Sequence, residues 1–144
     1  IKKNDEIGEL VYEGKNVTLG YSKTYKDLSN GDDNKGLLYT GDLATRDNDN
    51  FYYIVGRSNR ILKIFGIRIN LDDLETAIKN LGYECACVED NNKIRIFLTK
   101  KFNNEILTEK IYNISGVHKS AINLLFIKEI PRNNAGKVSY SELN

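Results

Sequence analysis

The feature that most restricts the fold is a double change of apolar period between residues 59 and 130. In "NRILKIFGIRIN" (59–70) basic and apolar residues alternate, as in a strand or a hairpin broken at Gly66. In "LDDLETAIKNLG" (71–82) the spacing lengthens, and Leu71, Leu74, Ala77, Ile78 and Leu81 share one helical face. Asn70 or Asp72 can cap that helix, acidic residues crowd its first turn, and Gly82 ends it. "YECACVEDNNKIRIFLTK" (83–100) reads as a strand, a tight Asp90-Asn91-Asn92 turn and a second strand. "NNEILTEKIYNIS" (103–115) predicts a second helix with Ile106, Leu107, Ile111 and Ile114 inward. "AINLLFIKEI" (121–130) predicts a last strand ending at Pro131. The order β-α-β-β-α-β predicts an α+β domain.

Residues 7–55 carry no helical period and read as a small all-β subdomain. "IGELVYEG", "VTLGY", "GLLYTGDLA" and "FYYIVG" are strand-like, and "KTYKDLSNGDDNKG" is a polar loop between them. "ATRDNDNFYYIVG" predicts a hairpin turning at Asp47–Asn50. The expected organisation is residues 1–57 as the end of a β-rich domain and 58–144 as a separate α+β domain. The opening "IKKNDEIGELVYEG" and the lack of any methionine suggest a piece of a longer protein.

Composition removes several function classes. A net charge of +1 makes no demand for nucleic acid or an anionic membrane surface. No apolar run approaches the roughly 18 residues that span a bilayer, so no membrane span is expected. Cys85 and Cys87 alternate along one strand and with a single histidine supply too few metal ligands. They are expected to be reduced core residues of a cytoplasmic protein, with no metal site.

Three stretches could carry chemistry. In Tyr39-Thr40-Gly41-Asp42, a carboxylate after a glycine can accept two hydrogen bonds from a diol such as a ribose; a turn aspartate capping its own backbone is the alternative. In "GRSNRILKIFGIR", Arg57, Arg60, Lys63 and Arg68 form a cationic stretch suited to phosphates, or a solvated basic strand edge. As one uninterrupted strand it would put Arg57 and Lys63 on one face and Arg60 and Arg68 on the other. In "EIPRNNAGKVSYSEL", the loop Asn133–Gly136 gives reach to Lys137, or leaves it as a surface lysine.

Taken in order, "GELVYEGKNVTLGY", "YTGD", "GRSNRILKIFGIRINLDDLE" and "PRNNAGKVSY" resemble the C-terminal motifs of the adenylate-forming (AMP-binding) superfamily. That superfamily comprises acyl- and aryl-CoA synthetases, adenylation domains of peptide synthetases, and luciferases. The resemblance spans essentially the whole chain. It implies an ATP-dependent acid–thiol ligase that activates a carboxylic acid, such as a fatty acid, as acyl-AMP and passes it to a thiol. It also implies that residues 58–144 form a mobile lid.

Carried over by position, Asp42 would bind the ribose hydroxyls of ATP, and Arg57 would contact ribose or phosphate. Asn59 would occupy the hinge, where the family usually has Asp or Lys. Lys63 and Gly66 would lie on the strand facing the site during thioester formation, Gly66 leaving room for a pantetheine arm, and Arg68 would reach phosphate. Glu75 would be structural, and Lys137 would enter the site for adenylation. The implied cofactors are ATP with Mg2+ and, as acceptor, coenzyme A or carrier-protein phosphopantetheine. The "NNAGK" loop lacks the family's frequent Thr or Ser before Gly, and the phosphate-binding loop is expected upstream of these residues. By itself the piece is therefore expected to be inactive. The endings "KIFGIRINLDDLE" and "GKVSYSEL" look more like acyl-CoA synthetases than peptide-synthetase domains. A carrier-protein ligase and a non-catalytic docking module are the other readings.

Overall fold

The computed structural model describes residues 6–143; residues 1–5 of the opening segment and Asn144 lie outside the described residues. The chain forms two compact units, divided between Asn59 and Arg60.

The first unit is a three-stranded antiparallel sheet, β1 (Gly8–Glu13), β2 (Leu37–Arg46) and β3 (Tyr52–Arg57), in that order. The β2–β3 hairpin turns at the expected place because Asp47 builds the turn. Its Oδ1 accepts from the backbone N–H of Asp49 and Phe51, and its Oδ2 from the Tyr53 hydroxyl. The Phe51 bond first, and the others with it, hold that carboxyl below the usual carboxylate range.

"VTLGY" is not a strand. The carbonyl of Leu19 accepts from Asp33 and Asn34, and the Asn34 side chain donates to Thr18, so this stretch closes a loop instead of joining a ladder. The polar connector also holds a one-turn 3-10 helix, Tyr25–Ser29, opened by Asp27 accepting from Lys23 and Thr24. Among the described residues of this unit, Ala44 is the sole buried hydrophobic side chain, while Tyr39, Phe51, Tyr53 and Ile54 are exposed.

The second unit has its own core. β4 (Ile61–Ile64) and β5 (Ile67–Asn70) form a two-stranded hairpin, followed directly by helix α1 (Leu71–Asn80). The N-cap is Asn70, whose side chain accepts from Asp72 N–H. A three-stranded sheet follows in the order β6 (Cys85–Asp90), β7 (Lys93–Leu98), β8 (Ile122–Phe126), antiparallel and then parallel, with α2 (Asn104–Ser115) as the crossover. The Asn91-Asn92 turn has positive φ at both residues, as a two-residue hairpin turn requires.

One face of this sheet packs Cys85, Cys87, Ile94, Ile96 and Leu98 against both helices and the β4–β5 hairpin. The other face packs Ala86, Val88 and Phe97 against Ile130 and Leu143 of the C-terminal segment. Cys85 and Cys87 are free thiols in the core. The hydrogen bond from Cys85 and then burial push the Cys87 thiol up, so it stays protonated and inert.

Two further local expectations fail, in α2 and in the last strand. Leu107 and Ile111 of α2 are buried as expected, but Ile106 and Ile114 are 58% and 46% exposed, because the helix meets the core along a narrower stripe. The last strand stops at Phe126, not Pro131. Its partner β7 ends at Leu98, and after Ile127 N–H bonds the Leu98 carbonyl there is no ladder left to join. Of the two readings of 59–70, the hairpin broken at Gly66 is the one formed, and the one-turn helix Ser58–Arg60 precedes it. No helix among the described residues is long and apolar enough to cross a membrane.

Candidate active site

In the first unit the structure brings Asp42 and Arg57 together. The pair is set by register, because Asp42 on β2 lies directly opposite Arg57 on β3. Arg57 Nε sits 2.8 Å from Asp42 Oδ1, and its terminal nitrogen donates to the Thr40 carbonyl. Gly41 enables the approach. It has φ +73°, a conformation that glycine adopts without strain, and its N–H donates to Glu9 on β1. The Thr40 hydroxyl donates to Leu10 O and accepts from Asp42 N–H, which fixes the central strand behind the carboxylate. Arg57 is 60% exposed at its side chain and Asp42 26%, so the pair is open to a ligand carrying hydroxyls or phosphate.

In the second unit Lys63 and Arg68 are direct cross-strand partners on the β4–β5 hairpin, both exposed. Like charges placed opposite each other destabilise a hairpin, so this arrangement favours an anion between or above them. The turn of this hairpin is Phe65-Gly66, with φ +48° and +85°. A Cβ added at Gly66 would meet nothing within 4 Å, leaving that edge clear for a ligand chain. Asn59 is exposed, lies in the one-turn helix Ser58–Arg60, and is the last residue before the division between units.

Lys137 is exposed, but its loop is not the loose arm the sequence suggests. Arg132 and Val138 form a bridge, and Asn133 N–H donates to Lys137 O. The Asn133 side chain accepts from both Ala135 and Lys137 N–H, and Gly136 closes the turn at φ +75°. Arg132 completes it by donating to Gly136 O and pairing with Glu84. The lysine is thus mounted on a closed turn.

Arg60 corrects the sequence reading most. It was expected on an exposed cationic face, yet it is 8% exposed and held by carboxylates. Its Nε lies 2.7 Å from Asp72 and a terminal nitrogen 2.6 Å from Glu75, itself 4% exposed. The signal was present: Glu75 falls on the apolar face of α1 beside Leu71 and Ile78, where a carboxylate requires a buried cation.

No family model matches the chain. A probable 4-coumarate–CoA ligase of Dictyostelium discoideum is 33% identical over 92% of the chain, which spans 26% of that protein. The chain belongs to the adenylate-forming (AMP-binding) superfamily and corresponds to its C-terminal part. A long-chain-fatty-acid–CoA ligase of Salmonella typhimurium is 28% identical over 96% of the chain, again across 26% of its own length. The chain therefore spans about a quarter of the length of these curated relatives. The fold agrees: a solved fatty acyl-adenylate ligase structure, from work on E. coli and L. pneumophila enzymes, superposes with TM-score 0.71 at 23% identity, over 98% of this chain and 27% of that one.

Proposed function

We propose that this chain is the C-terminal part of an ATP-dependent acid–thiol ligase of the acyl-CoA synthetase kind, working on a carboxylic acid, ATP and coenzyme A. The observation that carries the reading is the match to CoA ligases along nearly the whole chain, with the Asp42–Arg57 pair formed at the T-G-D position. Residues 1–57 would end the adenylation core, and residues 58–144 would form the lid that turns about Asn59. The uncovered aromatic faces of the first sheet support this, since a three-stranded sheet with so little buried surface needs a larger body to pack against.

In the first half-reaction a carboxylate oxygen bonds to the α-phosphorus of ATP and the bond to pyrophosphate breaks. Asp42 would accept from the ribose diol, Arg57 would contact ribose or phosphate, and Lys137 would offset the negative charge that builds between the two anions. Mg2+ and the phosphate-binding loop would be supplied from outside these residues, so the chain alone would not turn over. In the second half-reaction a thiol attacks the acyl carbonyl and AMP leaves. Lys63 and Arg68 would hold phosphate of the acceptor, and Gly66 would let the pantetheine arm pass. A carrier-protein phosphopantetheine presents the same thiol, and the buried free cysteines Cys85 and Cys87 suit the cytoplasm, where ATP and coenzyme A are found.

The test uses the whole protein that contains this chain, with ATP, labelled pyrophosphate and a panel of aromatic and fatty acids. Acid-dependent exchange and formation of a coenzyme A thioester are expected, and Asp42→Ala should raise KM for ATP by about tenfold to a hundredfold, the worth of hydrogen bonds to a charged group. Absence of exchange with every acid, or an unchanged KM in Asp42→Ala, would overturn the reading.

A further inference from the structure

One buried carboxylate joins segments 80 residues apart at the two functional ends of the second unit. Glu75 Oε1 accepts from Arg60 at 2.6 Å and from Cys87 N–H at 2.8 Å. Its Oε2 accepts from the Tyr140 hydroxyl at 3.0 Å. The Tyr140 ring in turn lies over the Arg60 guanidinium, 4.0 Å from it. Arg60 spends its other donors on Asp72 and on the Cys87 carbonyl. Arg60 is the first residue of the second unit, and Tyr140 follows the Lys137 turn by three positions. The turn is tied to the same stem, because Ser139 N–H donates to Pro131 O and Arg132 pairs with Glu84.

We propose that Tyr140 is a positioning residue: through Glu75 it fixes the Lys137 turn to Arg60, so that rotation of the second unit carries the lysine with no play between them. This rests on the adenylation role assigned to Lys137. A catalytic group needs supports whose own rotamers are locked, and here each support is bonded to another. The chemistry suits a permanent latch. Burial first, and then the Glu75 charge, push the Tyr140 hydroxyl up to about 12, so it remains a donor throughout the physiological range.

Tyr140→Phe is the sharp variant, because it keeps the ring on Arg60 and deletes only the O–H. In the whole protein, amide exchange of the segment 132–139 should quicken about tenfold, while that of α1 stays unchanged. The rate of acyl-adenylate formation should fall about fivefold to tenfold with KM for ATP unchanged, and thioester formation from supplied acyl-adenylate should be preserved. Unchanged exchange in 132–139 overturns the latch. An equal fall in both half-reactions, together with a lower melting temperature, also overturns it, by showing that Tyr140 serves only the fold. Lys137→Ala, run alongside, separates the two claims. If it leaves adenylate formation intact, the role of Lys137 fails, whereas the amide exchange of Tyr140→Phe still decides whether the turn is latched.

Discussion

Glu75 is a buried polar junction of the second unit. Its carboxylate takes Arg60, the Cys87 amide and the Tyr140 hydroxyl, with Lys79 nearby at 3.8 Å. Glu75→Ala would leave a buried guanidinium with Asp72 as its one carboxylate partner beside the Cys87 carbonyl, and an amide and a hydroxyl without that acceptor. The expected loss is about 3 kcal/mol, read from the urea unfolding midpoint of the second unit's transition. Asp42, Arg57, Lys63, Gly66, Arg68 and Lys137 stand out in the sequence because each sits in a motif with fixed spacing, and the roles given to them above are proposals. The burial of Arg60 is signalled only indirectly, by Glu75 on the apolar face of α1, since its own stretch reads as exposed and cationic. The one-turn helix at Ser58–Arg60 redirects it inward. The alkaline side of stability follows from Tyr140. Its folded value lies above the ordinary 10, so its contribution is complete below pH 10 and is lost as pH rises toward about 12.

At the scale of elements, local chemistry decided what could be read. The α1 cap at Asn70, the Asp47 turn, the Asn91-Asn92 turn and the Gly66 hairpin were all legible, because short polar side chains and glycine have few other uses at such places. Strand length was not legible, because β8 ends where its partner ends, a property of β7 and not of "LLFIKEI". The inward face of α2 is narrower than the helical period predicts for a similar reason: Ile106 and Ile114 match the period but stay 58% and 46% exposed. The C-terminus of α2 offers a clean check. Gly116 has φ +70° and its N–H donates to Tyr112 O, closing the helix. Gly116→Ala should destabilise the second unit by about 1 kcal/mol in the same urea assay, from backbone strain alone, as the nearest atom to an added Cβ is Ile67 Cδ1 at 3.8 Å.

For the whole molecule, the informative contrast is between a first unit with one buried hydrophobic side chain among its described residues and a second unit with a double-faced core. The period changes along the sequence showed the second unit's class, but they could not show that Lys137 rides on a closed turn. That depends on Asn133, Arg132 and Glu84 meeting across the fold. In this account the lysine is delivered by movement of a unit and not by flexing of a loop, and the same unit then presents the Lys63–Gly66–Arg68 hairpin. The most direct test is Lys137→Ala in the whole protein, with the two half-reactions measured separately. Acyl-adenylate formation should fall about a hundredfold to a thousandfold, the scale on which a group stabilising developing charge acts, while thioester formation from supplied acyl-adenylate stays within about twofold. Acyl-adenylate formation at the unsubstituted rate would contradict the account.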